Sequence, residues 1–246
     1  MGRIGRVALL ATGAFALPLL QRVAEIADDL LVVTQPARPA GRGLTLRGGP
    51  VQEAATAAGL RVVAPDRLGS DAARAAIAAF APDGLVLAAY GQIVPRRVLG
   101  IGARPPLNVH PSLLARHRGA SPVAGALLAG DAETGVTVIV MVPAVDAGPM
   151  VAQWRTPIGV HEDAVELERR LAELAAQEIP ELLRAWARAE LNPVPQDESR
   201  ATFTRPLRRA DGHIAWTRSA VELDRQVRAL QPWPGAWTHV GAARLH

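Results

Sequence analysis

The chain has 246 residues, a formal net charge of +4, no cysteine, and 27 basic residues, all of them arginine. That length allows one large domain and part of another, and the missing thiols exclude a disulfide framework, a thiolate nucleophile and thiolate-bound zinc. Arginine in place of every lysine raises the isoelectric point by itself, so charge placement says more: residues 200–246 carry eight arginines against three acidic residues, and the rest of the chain is close to neutral. A basic C-terminal segment suits a polyanionic partner, and on charge alone it suits a solvated basic face equally well.

In chain order, short β-branched or leucine-rich runs at 6–10, 30–34, 61–64, 84–88, 106–110 and 135–140 read as strands. They alternate with alanine-rich stretches of helical spacing at 16–27, 49–58, 70–80, 121–129 and 163–188. This alternation predicts an α/β fold with a doubly wound, mostly parallel sheet, whose function gathers at the carboxyl ends of the strands. The first run has a competing reading. Arginines within residues 1–6, followed by the largely apolar 7–20, resemble a secretory signal peptide. Against it, Thr12-Gly13 reads as the turn after a buried strand, and 17–26 has helical spacing without a good cleavage site. No other apolar run approaches the length needed to cross a bilayer.

The segment 190–200, with two prolines among polar residues, reads as a linker. After it come 205–216, a short helix near 219–230, and the turn-rich run Gln231-Pro232-Trp233-Pro234-Gly235. The chain therefore divides into a catalytic unit over 1–189, a linker over 190–203 and a small second unit over 204–246.

The residues able to do chemistry cluster after the fifth strand. Asn108 and His110 are two apart at a strand end, so they share a face and present an amide and an imidazole side by side. Acyl-type transfer needs such a pair: donors aimed at a developing oxyanion and a group that handles a proton. Taken alone, a histidine there is more often structural. Asp146 lies on a Gly/Pro-bounded loop beyond the strand at 135–140, placed to meet that histidine, although a lone aspartate in such a loop is usually a turn residue.

Read together, NVHPSLL-x-RHRGASPVAGALLAGDAETGVTVIVM-x-x-x-VDAGPM over 108–150 resembles the signature of formyltetrahydrofolate-dependent formyltransferases. The resemblance implies Asn108, His110 and Asp146 as the catalytic group, and 10-formyltetrahydrofolate as co-substrate. It implies contacts to that co-substrate from Ser112, Leu113, Leu114 and Ala115, and from Tyr90 and Gly91 in the strand-end loop 89–95. The run 34–43 resembles the loop that the methionyl-tRNA formyltransferases of this family insert against the acceptor stem, and Arg38, Arg42 and Arg47 follow one another with no acidic residue between Asp29 and Glu53. On composition alone this is a mobile Gly/Pro loop with incidental arginines. Residues 211–216 and 228–237 resemble the start of that enzyme's small β-barrel-type C-terminal domain, which in the family continues further, so this domain is expected to be incomplete here.

The resemblance spans about residues 6–246. It implies a Rossmann-like catalytic domain, a cytoplasmic monomer acting on initiator methionyl-tRNA, no membrane and no metal. It also lowers the signal-peptide reading, because removing residues 1–20 would delete the family's first strand. The departures are Ala11-Thr12-Gly13-Ala14 in the first turn, Ala115 where a proline is usual, and Ala144-Val145 ahead of Asp146. None removes a catalytic group.

Two other acceptor or activity classes remain open at this point: a small amine such as that of a sugar nucleotide, and a folate- or RNA-binding protein without transfer. Other motifs carry little. No G-x-G-x-x-G follows the first strand and no P-loop pattern is present. His161-Glu162-Asp163 lacks metal-ligand spacing and reads as an acidic helix start. Trp216, Trp233 and Trp237 read as packing for the small unit.

Overall fold

The computed structural model describes residues 2–40, 45–241 and 243–245. Its centre is a seven-stranded sheet of β1 (Arg6–Ala11), β2 (Asp29–Val33), β3 (Arg61–Val63), β4 (Gly84–Ala88), β5 (Leu107–His110), β6 (Glu133–Val140) and β7 (Met150–Pro157), in the order β7-β6-β5-β4-β1-β2-β3. The five strands from β5 to β3 run parallel, and β6 and β7 close one side as an antiparallel pair. This is the mostly parallel α/β sheet expected. From β1 the chain builds outward to β2 and β3, then returns to lay β4 on the other side of β1. The crevice at this reversal is where open α/β sheets bind ligands.

Among the described residues, seven α-helices connect and cover the strands: α1 (Leu17–Ile26), α2 (Pro50–Ala57), α3 (Asp71–Phe80), α4 (Arg96–Leu99), α5 (Pro122–Ala129), α6 (Ala164–Ala187) and α7 (Ala220–Ala229). Their starts are chemically marked. Ser70 accepts the Ala73 N–H ahead of α3, and Asp163 with Glu166, and Ser219 with Glu222, form capping boxes ahead of α6 and α7. The acidic reading of 161–163 as a helix start therefore holds.

The two-residue period of the strands sorts the core into two layers. Val7, Leu9 and Ala11 of β1 face α1 and α6, where Leu19, Val23, Leu171 and Ile179 meet them. Ala8 and Leu10 face the opposite way, against Ile77 and Phe80 of α3 and Val98 of α4. On β5 the same alternation sends Leu107 and Val109 into the α1/α6 layer, and so turns Asn108 and His110 to the other face. The 7–20 segment that resembled a leader is thus the central strand and the first helix of the core.

Three features were not foreseen. β7 has no apolar run beyond Met150–Ala152, because it is an edge strand half-buried along most of its length. Arg38–Ala40 and Thr45–Arg47 pair as an antiparallel ribbon, with Arg38 directly opposite Arg47. The segment expected as a linker is laid along the catalytic unit: Val194 bridges Met150, and Phe203–Thr204 pairs in parallel with Arg118–Gly119. Of the three tryptophans assigned to packing, Trp237 does pack, edge-on to His213 at 4.8 Å, whereas Trp216 and Trp233 are exposed. No helix among the described residues is long and apolar enough to cross a membrane.

The C-terminal end of α6 is pinned to the sheet by Trp186, which is 2% exposed, donates from its indole N–H to the Pro105 carbonyl at 2.9 Å, and packs where a side chain on Gly84 would collide with it. Trp186→Ala is expected to lower the unfolding free energy by about 3–5 kcal/mol, the cost of emptying a large aromatic site. Urea unfolding followed by far-UV circular dichroism measures it, and a loss below about 1 kcal/mol would show that α6 is anchored elsewhere.

Candidate active site

The turn after β1 and the loop after β4 are tied together at the sheet's reversal point. The Thr12 and Gly13 N–H groups donate to the Ala89 carbonyl, and the Thr12 hydroxyl and the Gln35 amide both donate to the Tyr90 carbonyl. The unusual turn sequence at 11–14 therefore keeps its place through backbone and threonine contacts. Beside this knot opens a cleft of about 870 Å³, within the usual range for a small-molecule site. Its lining is mainly apolar and includes Phe15, Ile139, Met141 and Val123, together with Asn108, His110 and Asp146.

Asn108 and His110 are buried at the end of β5, at 6% and 5% exposure, between β4 and β6. Asp146 reaches them from the loop between β6 and β7. The Asn108 amide N–H donates to Asp146 Oδ1 at 3.0 Å, and the Gly119 backbone N–H donates to Asp146 Oδ2 at 2.8 Å. The same Oδ2 lies 3.6 Å from His110 Nδ1. On the far side of the ring, His110 Nε2 is 3.0 Å from the His117 carbonyl, which can only accept, so the Nε2 proton is fixed there and Nδ1 is the atom that faces the carboxylate.

This arrangement rests on backbone held in an uncommon conformation. Asp146 has φ +48°, the left-handed region that costs a non-glycine residue energy and persists only where the surroundings impose it. His117 has φ +59°, with its N–H bonded to the Thr202 hydroxyl and its ring paired to Asp131 at 2.7 Å. Gly119 has φ +106°, and a side chain there would collide with the Thr204 carbonyl of the paired segment. Only glycine lets the two backbones approach closely enough for its N–H to meet Asp146.

The remaining expected site residues divide. Gly91 borders the cleft, as does the backbone of Tyr90, but the Tyr90 ring is buried in the α3 layer, where its hydroxyl has no partner among the described residues. Burial pushes that phenol up to about 12. Ser112, Leu113, Leu114 and Ala115 are not brought to the cleft. The Ser112 hydroxyl donates to the Arg116 carbonyl and the Leu114 N–H donates to the Thr137 hydroxyl, which curls this loop back over β6. Leu113, Leu114 and Ala115 instead line a separate cavity of about 330 Å³ with Arg116, His117 and Asp131. Arg38 and Arg47 lie on the exposed ribbon, apart from the cleft, and Arg42 lies outside the described residues.

Several residues at the site carried no readable signal in the sequence. Leu207, Ala229, Gln231, Pro232 and Trp233 of the C-terminal segment line the same cleft. Gln196 and Arg118 stand behind Asp146, buried at 8% and 2% exposure. Glu168 of α6 also lines the cleft; burial holds its carboxyl above the ordinary 4.5, partly opposed by a hydrogen bond from the Phe15 backbone.

The Glu168 shift has a stability consequence. The fold favours its protonated form, so this contribution is present below the ordinary value and is lost as pH rises through the raised folded value. Glu168→Gln, which keeps the shape and the acceptor, is expected to raise the urea midpoint over the parent at about pH 8 and to leave it unchanged at about pH 4. An equal difference at both pH values would remove the titration of Glu168 as its cause.

Comparison with known proteins places these observations in a family. A family model described as "Formyl transferase" matches residues 6–183, and one described as "Formyl transferase, C-terminal domain" matches residues 206–246. The methionyl-tRNA formyltransferase of Roseiflexus sp. (strain RS-1) is 46% identical over 235 residues, which cover 95% of this chain and 72% of that protein. Among solved structures, a sugar N-formyltransferase from Shewanella sp FDAARGOS_354 superposes with a TM-score of 0.76 at 15% identity, over 99% of this chain and 96% of that one. HypX from Aquifex aeolicus in complex with tetrahydrofolic acid superposes with a TM-score of 0.71 at 17% identity, over 98% of this chain and 36% of that one. At such identities these two structures speak for the fold.

Proposed function

The chain belongs to the formyl transferase family, and from that premise we propose that it transfers the formyl group of 10-formyltetrahydrofolate to the α-amine of methionine esterified to initiator tRNA, in support of bacterial translation initiation in the cytoplasm. The observation that carries the reading is the convergence of Asn108, His110 and Asp146 in one large apolar cleft beside the reversal point of the sheet. A folded pteridine-bearing co-substrate fits a cleft of about 870 Å³ bordered by Gly91 and the Tyr90 backbone.

The bound folate supplies an activated formyl carbon. The acceptor amine forms a bond to that carbon, the bond from the carbon to the folate nitrogen breaks, and one proton passes from the amine to the leaving nitrogen. The chain's own groups suit each part. Asn108 spends one amide N–H on Asp146 and has a second to give to the developing oxyanion. His110, its Nε2 side committed to the His117 carbonyl, offers Nδ1 to the same oxygen or to the migrating proton. The Asp146 carboxylate aligns both side chains, holding the Asn108 amide at 3.0 Å and facing His110 Nδ1 at 3.6 Å. The mainly apolar walls exclude water, which strengthens each of these contacts.

The tRNA half of the reading rests on the relative that is 46% identical and on the ribbon. Arg38 and Arg47 face each other across an antiparallel pair, and Arg38 Nη2 donates to the neutral Gln35 Oε1 at 2.7 Å. Like charges placed directly opposite repel, and a phosphate between them would relieve the repulsion. Arg42 is proposed to join them. For the folate contacts, the cleft supports Tyr90 and Gly91; it does not support Ser112, which lines neither cavity, or Leu113, Leu114 and Ala115, which turn to the other cavity.

Incubation of the chain with 10-formyltetrahydrofolate and methionyl initiator tRNA should yield formylmethionyl-tRNA. Transfer to a sugar-nucleotide amine with none to the tRNA would overturn the acceptor assignment. Asn108→Ala should reduce kcat by about a hundredfold or more, because removing one oxyanion donor costs about 2.7–4 kcal/mol; near-parental turnover would remove Asn108 from the chemistry. Replacing Arg38 and Arg47 together by alanine should raise KM for the tRNA and weaken its salt dependence while leaving KM for folate unchanged. An unchanged tRNA KM would disconnect the ribbon from tRNA.

A further inference from the structure

Gln196 lies between the two family-matched regions, in the stretch that reads as a linker, yet its side-chain amide is buried and fully committed. Its N–H groups donate to the Asp146 carbonyl and to the Gly148 carbonyl, both at 2.7 Å. Its oxygen accepts from Arg118 Nε at 3.1 Å and from Arg118 Nη2 at 2.8 Å. Arg118, almost completely buried, is held in turn by Glu198, with Nη1 donating to Oε2 at 2.9 Å and Nη2 to Oε1 at 2.6 Å. An amide has two donors and two acceptor lone pairs, and here each has a partner.

The partners are the two ends of one functional contact. On one side Gln196 grips the backbone of Asp146 itself and of Gly148, two residues on. That grip compensates the left-handed conformation at Asp146, which persists in a non-glycine residue only where its surroundings impose it. On the other side it grips the side chain of Arg118, whose neighbour Gly119 supplies the N–H that meets Asp146 Oδ2. The Gln196 amide therefore sets the distance between the carboxylate and its backbone donor, and with it the aim of the carboxylate at Asn108 and His110.

We propose that Gln196 is a positioning residue for the transfer reaction, acting through Asp146: a side chain from the inter-domain segment locks the carboxylate loop in its working conformation. The proposal rests on the reading of Asp146 given above. Gln196 does not itself line the cleft among the described residues, so its effect belongs in turnover and not in substrate affinity.

Gln196→Glu tests this with little change in shape. It keeps an oxygen for Arg118 but turns a second oxygen, in place of an N–H2 group, toward two carbonyls. The expected outcome is a kcat lower by roughly tenfold to a hundredfold, the scale of a misplaced catalytic group, with KM for both substrates within about twofold of the parent. Gln196→Ala should behave alike, and in an Asp146→Ala background neither change should lower kcat further, since a residue acting through another has nothing left to act on. Losses that multiply in the double variant, or a kcat unchanged in Gln196→Glu, would overturn the proposal.

A second readout needs no turnover. Hydrogen exchange at the Gly119 amide should accelerate by about tenfold or more in Gln196→Glu, with the Val109 amide in β5 unchanged. Unchanged protection at Gly119 would also overturn it. If Asp146→Ala alone kept full activity, the catalytic reading of Asp146 would fall, while Gly119 exchange would still decide whether Gln196 holds the loop.

Discussion

The Asp146 carboxylate is where the sheet, the loop after β5 and the segment between the matched regions meet. Its two oxygens contact the Asn108 amide, the Gly119 backbone and, at 3.6 Å, His110. A carboxylate with 14% of its side chain exposed must find partners that replace water, and the partners it has found are pinned by two separate elements. β5 fixes Asn108 and His110 through its pairing to β4 and β6, and the Arg118–Gly119 pairing to Phe203–Thr204 fixes the backbone donor. The left-handed backbone at Asp146 is then an imposed strain: a carboxylate free to relax would leave that conformation and aim elsewhere.

What was legible in the sequence follows from which forces are local. The continuous apolar runs of β1, β2, β4 and β5, and the alanine-rich stretches of helical spacing, are written in contiguous residues, so the sheet and the major helices could be read with boundaries close to those found. Asn108 and His110 could be placed on one face by strand geometry, while Asp146 became readable through the family pattern around it. β7 was not legible, because an edge strand half-buried along most of its length turns polar after Met150–Ala152 and has too short an apolar run to mark it. Gln196 and Arg118 were not legible either. Between Pro195 and Asp197 a glutamine looks like solvent-facing linker text, and its role arises only from the return of the chain to residues about 50 and 80 positions earlier.

The loop at Ser112, Leu113, Leu114 and Ala115 shows how a local motif can be sound while its direction is not. The strand ends at His110, and whether the next residues continue toward the cleft depends on hydrogen bonds to Arg116 and Thr137, which no spacing rule reports. The loop's contribution to the site runs through its far end, where the His117 carbonyl fixes the His110 proton to Nε2. That carbonyl is held in turn from outside the loop, by Thr202 at the His117 N–H and by Asp131 at its ring.

These contacts change how the two matched regions relate to the chemistry. Composition suggested a catalytic body with a basic appendage for a polyanion, and such an appendage would alter affinity alone. The geometry couples them more closely. Leu207, Gln231 and Trp233 form part of the cleft wall, and residues 196–204 brace the loops that carry His117, Gly119 and Asp146. Displacing the C-terminal segment would therefore open one wall of the cleft and release the backbone on which the carboxylate is aimed. The arginine ribbon is different: it does not line the cleft, and its link to it runs from Arg38 through the Gln35 amide to the Tyr90 carbonyl, away from Asn108, His110 and Asp146. On this reading the acceptor's charge is met by a ribbon at the edge of the site, whereas the reacting centre depends on the sheet and the C-terminal segment being closed around it.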